Sequence, residues 1–113
     1  MVNTRPLNQQ DHDRRSLALH AQVAIKLRQN PGLLNEAAAW VALWQETTAP
    51  GNLPALKKWE QLLHSGLEAT LAVALSDDPE ATELRQSSPL PCLLSPQERW
   101  RFLAKWRASF EAR

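Results

Sequence analysis

Three histidines, one cysteine and twelve acids are the side chains in this 113-residue sequence that could carry out chemistry. Metal binding needs ligands that converge, and His12, His20 and His64 are scattered, with no C-x-x-C, H-E-x-x-H or H-x-x-x-H spacing. Cys92 has no histidine and orienting acid nearby in sequence, so it reads as a small buried hydrophobe rather than a nucleophile. Gly32, Gly51 and Gly66 stand alone and form no phosphate-cradling loop. These patterns predict a non-enzymatic protein with no catalytic residues, cofactor or metal. A small enzyme whose site is assembled only by folding stays open as an alternative. His20, three residues after Leu17, sits at the edge of an apolar helix face and is expected to be partly buried with a local hydrogen bond.

Tryptophan and arginine offer recognition rather than catalysis. Five tryptophans are many for one small core. Helical spacing assigns Trp40, Trp59 and Trp100 to the interior, which leaves Trp44 and Trp106, late in their helices, as the candidates to sit partly exposed at a groove or interface. With Arg99, Arg101, Lys105 and Arg107 they form the candidate partner-binding set. Charge is uneven: residues 1–30 carry +3, residues 31–94 carry −5 and residues 95–113 carry +3. Basic ends around an acidic middle fit a protein partner. A nucleic-acid-binding regulator working through the terminal helices is the alternative, although a helix bearing tryptophan and phenylalanine suits base reading poorly. No apolar run reaches the ~20 residues a membrane span needs. Residues 1–15 contain no apolar segment of the signal-peptide kind, and the lone cysteine cannot form an internal disulfide, so a cytoplasmic protein is expected. Oligomeric state is open.

The elements that must position these residues are helices. Strand alternation is missing and tyrosine is absent. Proline follows a capping residue at Asn30-Pro31, Asp78-Pro79 and Ser95-Pro96, which marks three helix starts. The pattern predicts a flexible arm over 1–12 and a single helical domain over 13–113, an all-α bundle of five or six helices. The first helix runs from about Asp13 to Gln29, with Leu17, Ala21, Ala24 and Leu27 facing inward. The second carries a stripe of Leu33, Ala37, Trp40 and Trp44 and is expected to be the most buried. After the turn at "TTAPGN", a stripe of Leu56, Trp59, Leu63, Leu67, Leu71 and Ala74 continues past a break at Ser65-Gly66, where Ser65 and Glu68 match a capping box. A short helix follows from Pro79 to Gln86. Prolines 89 and 91 then force a long extended connection, residues 87–95, pinned by Leu90, Cys92, Leu93 and Leu94. Ser95, Pro96 and Glu98 open the last helix, whose apolar face holds Trp100, Leu103, Trp106 and Phe110.

The blocks "RSLALHAQVAIKLRQNPGLL", Trp59 followed by "LL", and "LRQSSPLPCLLSPQERW" resemble a group of small helical bacterial proteins with SLALH, LRQSSP and LSPxERW blocks. The similarity spans roughly residues 15–107. It implies the antitoxin, or inhibitor, component of a bacterial toxin–antitoxin pair, with a toxin encoded next door as the protein partner. It supplies no catalytic residue. "PLPCL" departs from the smaller glycine-containing loop expected of the group. Arg15, His20, Arg85, Gln86 and Ser87, with Arg99, are candidates to cluster where the first helix meets the connection. Such a cluster would be either a hydrogen-bond network holding the loop or a peptide- or acid-binding pocket.

Overall fold

The structure, a computed structural model, describes residues 7–111, with side chains through Ser109. Residues 1–6 of the expected arm and the Phe110 side chain lie outside the described residues. Six α-helices follow in order: α1 (Gln9–Gln29), α2 (Leu33–Thr47), α3 (Leu53–Ser65), α4 (Leu67–Ala74), α5 (Pro79–Arg85) and α6 (Pro96–Glu111). Short 3₁₀ turns cover Pro50–Asn52 and Leu90–Leu93, and the described residues contain no strand. The protein is an all-α bundle.

Local chemistry accounts for the helix ends. α1 begins at Gln9, before the expected Asp13, because Asn8 and Asp11 close a capping box. The Asp11 N–H donates to the Asn8 side chain at 2.8 Å and the Asn8 N–H donates back at 3.1 Å. This polar first turn carries no apolar periodicity to announce it. Asn30 does not cap α2 with its side chain; it closes α1 through its own N–H to the Lys26 carbonyl, and α2 starts after a Pro31-Gly32 turn. Asp78 caps α5 as expected, accepting from the Ala81 N–H at 2.8 Å. Ser95 and Glu98 form the expected box at α6, with bonds of 3.1 and 2.8 Å.

The stripe predicted across α3 and α4 breaks where expected, and by a different device. Gly66 has φ +109°, a region that favours glycine. Ser65 does not cap α4: its hydroxyl donates back to the Gln61 carbonyl at 2.9 Å, while Glu68 pairs with Arg28 at 2.7 Å. The hydroxyl of buried Thr70 lies 2.9 Å from both the Leu62 and the Gly66 carbonyls, tying α4 to the end of α3.

Val23, Leu27, Ala37, Val41, Leu56, Trp59, Leu63, Leu71 and Ala74 form the core, closed by Leu90, Leu93 and Leu94 of the connection. Trp59 is 0% exposed, and its indole N–H donates to the Leu84 carbonyl at 2.8 Å. That bond satisfies the one polar atom a buried tryptophan brings inside. The α1 stripe is rotated slightly from expectation: Ala24 and Leu27 are buried, Ala21 is exposed, and His20 and Val23 fill the interior. α2 is not the most buried helix. Only Ala37 and Val41 are buried, because α3 and the 90–93 turn cover one side alone. The radius of gyration, 14.8 Å, exceeds the about 13 Å expected for this chain length. None of the α6 residues through Ser109 is buried.

Candidate functional site

α6 leans on α1 at the edge of the bundle. Its root is held by a three-way clamp. The Lys26 ammonium donates to the Leu93 carbonyl at 2.8 Å and to Glu98 Oε1 at 2.6 Å, and that carboxylate also accepts from the Ser95 N–H. The Lys26 bond first, and the Ser95 N–H second, lower the Glu98 pKa to about 2. Arg99 donates to the Pro91 carbonyl at 2.8 Å. The connection, expected as extended chain, thus winds into one 3₁₀ turn whose carbonyls are taken up by Lys26 and Arg99. Leu90, Leu93 and Leu94 are buried as predicted, whereas Cys92, expected as a small buried hydrophobe, is only half-buried. Burial raises the Cys92 thiol pKa, which disfavours the thiolate.

Beyond that root the helix is a ridge. Trp100 is 70% exposed and Trp40 37%, so both leave the core to which their spacing assigns them. The physical reason is that no described element covers their side of α6 and α2. Trp44 and Trp106, the candidates for partial exposure, are half-buried, and Trp44 packs obliquely on Trp40 with ring centroids 6.0 Å apart. Arg99, Arg101, Lys105 and Arg107 are exposed around the ridge, as the partner-binding set requires. A groove of about 630 Å³ separates α6 from α1, lined by Ile25, Arg101, Phe102, Lys105 and Trp106. Ile25 is 55% exposed on its far wall. A second hollow of about 490 Å³ lies on the other flank, between Trp40 and Trp100.

No family model, curated protein or solved structure matches this chain.

The cluster proposed around the first helix is only partly assembled. His20 is 1% exposed, and its Nδ1–H donates to the Ser16 carbonyl at 2.7 Å, while Nε2 has no hydrogen-bond partner among the described residues. Burial first, and the charge of Arg85 as a lesser cause, lower its pKa to about 4. Arg85 is itself buried. It donates to the Ser76 carbonyl, to the Ala74 carbonyl at 3.3 Å and to the Thr82 hydroxyl at 3.1 Å, closing the C-terminal end of α4. Arg15 turns away to exposed His12, 3.5 Å from its Nδ1. Gln86 and Ser87 line a different, polar cleft with Lys58 and Glu83. The cluster thus reduces to a structural contact between α1, α4 and α5. Among the described residues no group of three or more His, Cys, Asp or Glu could hold a metal ion, and no helix is long and apolar enough to cross a membrane.

Sequence reasoning missed Trp100, Trp40, Ile25 and Lys26. Flanking charges give no signal for Trp100: Arg99 and Arg101 stand beside it, but Lys58 and Glu60 stand beside Trp59, which is fully buried. Nothing local in sequence pairs Lys26 with Glu98, 72 residues away.

Proposed function

We propose that the protein is a non-enzymatic binding module whose α6 ridge, together with the α1–α6 groove, receives an acidic protein surface. One observation carries this reading: α6 presents a 70%-exposed Trp100 amid Arg99, Arg101, Lys105 and Arg107, on a helix with no buried residue through Ser109. Tryptophan and arginine dominate binding energy at protein interfaces because they combine large apolar area with directed donors. A helix-turn-helix reader would instead aim short polar side chains at base edges. Within this class, the block resemblance supports the inhibitor half of a bacterial toxin–antitoxin pair. Co-purification with the product of the adjacent gene, and growth rescue on co-expression, test that assignment. The expected result is a complex lost in Ile25→Asp and weakened in Arg101→Ala/Lys105→Ala. Failure of both co-purification and rescue overturns the antitoxin assignment. Duplex DNA binding that the basic double variant abolishes would favour the regulator reading instead.

A further inference from the structure

The flank of α6 away from α1 carries a separate surface. The outer face of α2 reads Glu36, Ala39, Trp40, Leu43 and Glu46 at helical spacing, and all five are exposed. Leu43 is 51% exposed and Trp40 37%. An apolar centre with an acid at each end is therefore uncovered, and α2 contains no basic residue. Across the hollow of about 490 Å³ stands the matching edge of α6, with Trp100 and Leu103 as its apolar centre. Arg99 lies at one end of that edge, and Arg107, one turn beyond Leu103, at the other. Ten residues separate the two acids and eight the two arginines, which is about 15 Å against about 12 Å along a helix. Glu36, Glu46 and Arg107 form no ion pair with another described residue, and Cys92 at the floor of the hollow feels Arg99 and Glu36 together.

We infer that this face binds a second copy of the chain. The α2 strip and the α6 edge are complementary in charge and alike in length, and they border one hollow. A two-fold axis through that hollow lays the α6 edge of each copy on the α2 strip of the other. Both strips are then covered at once, and every charge pair forms twice, as an isologous interface requires. Covering Trp40, Leu43 and Trp100 removes the large apolar side chains that a monomer leaves in water on this flank. The dimer takes up Trp100, Arg99 and Arg107 of the ridge, and the acidic partner of the proposed function is left the α1-side groove with Ile25, Arg101, Lys105 and Trp106.

Sedimentation of the full chain up to about 100 μM tests the inference, since an interface of this kind is expected to hold in the micromolar range or tighter. The expected species is a dimer. Leu43→Glu weakens it by about ten-fold or more, with the helical circular dichroism spectrum unchanged. Glu36→Lys/Glu46→Lys and Arg107→Glu each weaken association alone. Mixed together, these two variants associate more tightly than either does by itself, because the reversed acids of one meet the reversed arginine of the other. A monomer at every concentration overturns the inference. So does a dimer indifferent to Leu43→Glu, or a mixture that behaves as its separate components. Loss of partner capture in Ile25→Asp, which lies on the opposite flank, reads out the proposed binding function independently.

Discussion

Trp59 and Trp100 stand in similar sequence settings and opposite physical ones. Each lies on a helical apolar stripe beside a basic residue, Lys58 in one case and Arg99 and Arg101 in the other. Trp59 is fully buried and gives its N–H to the Leu84 carbonyl, whereas Trp100 is 70% exposed. The difference lies in what surrounds each helix. α3 is packed between α2 and α4, so its stripe has neighbours to meet. α6 rests mainly on α1, so Trp100 faces solvent and Leu103 and Trp106 are only half-buried. Helical periodicity tells which residues share a face. It does not tell whether anything covers that face.

The sharpest way to break this contrast is to truncate both rings. Trp59→Ala is expected to destabilise the fold by about 3–5 kcal/mol, through lost burial and the cavity left behind. Trp100→Ala is expected to change stability by less than about 0.5 kcal/mol, as an exposed position should. Urea unfolding followed by circular dichroism measures both. A Trp100→Ala loss near that of Trp59→Ala would make α6 part of the core and remove the basis for calling it a recognition ridge.

A second test separates the packed side by pH. His20 is buried as the neutral ring, with its pKa lowered from 6.5 to about 4. The unfolded chain therefore binds a proton that the folded chain refuses between those values. Stability is expected to be full above about pH 6.5 and to fall as pH drops towards 4, by about 3 kcal/mol in total. His20→Gln should flatten this part of the profile. An unchanged slope in that variant would assign the acid sensitivity to other groups.

These two tests also mark what was legible in the sequence. The helices were, because proline after Asp78 and after Ser95 fixes starts that local hydrogen bonds then complete. The α3–α4 stripe was too, since leucine and tryptophan at helical spacing have an interior to enter. The start of α1 was not, because Asn8 and Asp11 act through polar caps that leave no apolar period. Of the proposed cluster, His20 and Arg85 come together, because an apolar setting and the open carbonyls at the end of α4 draw both inward. Arg15 and Gln86 point elsewhere, as long polar side chains on neighbouring turns are free to do. The exposed tryptophans were illegible for a stronger reason. Their environment is set by which helix ends up at the edge of the bundle, and that depends on every other helix.

The clamp at the root of α6 gives a third test, with a smaller effect. Lys26→Met removes the donor shared by the Leu93 carbonyl and Glu98. Amide exchange in the first turns of α6 is expected to quicken a few-fold, with α3 and α4 unchanged, if the helix opens as a local unit. The same opening should occur in the wild type as pH falls towards 2, where Glu98 takes up its proton and its ion pair with Lys26 is lost. Uniform quickening across all helices would show instead that α6 and the core unfold together.

The smallest effect on the fold belongs to the outermost charges. Arg101 and Lys105 are exposed and line the α1–α6 groove, so Arg101→Ala/Lys105→Ala should leave stability within about 0.5 kcal/mol of the wild type. Their work, on the proposed reading, is to steer an acidic partner. Steering acts on encounter, so the double variant should slow association and leave dissociation nearly unchanged, and the difference should shrink as salt is raised. Ile25→Asp, on the opposite wall of the groove, should do the reverse and speed dissociation, because it removes apolar contact once the complex has formed. Phosphate contacts would produce another pattern. Each neutralised phosphate releases counterions, so affinity itself would fall steeply with salt, and the double variant would lower that slope by about two. Surface plasmon resonance at several salt concentrations, with the adjacent gene product and with duplex DNA as separate ligands, distinguishes the two. A salt slope reduced on DNA, beside unchanged kinetics on the protein, would move the basic helix from protein recognition to nucleic-acid binding.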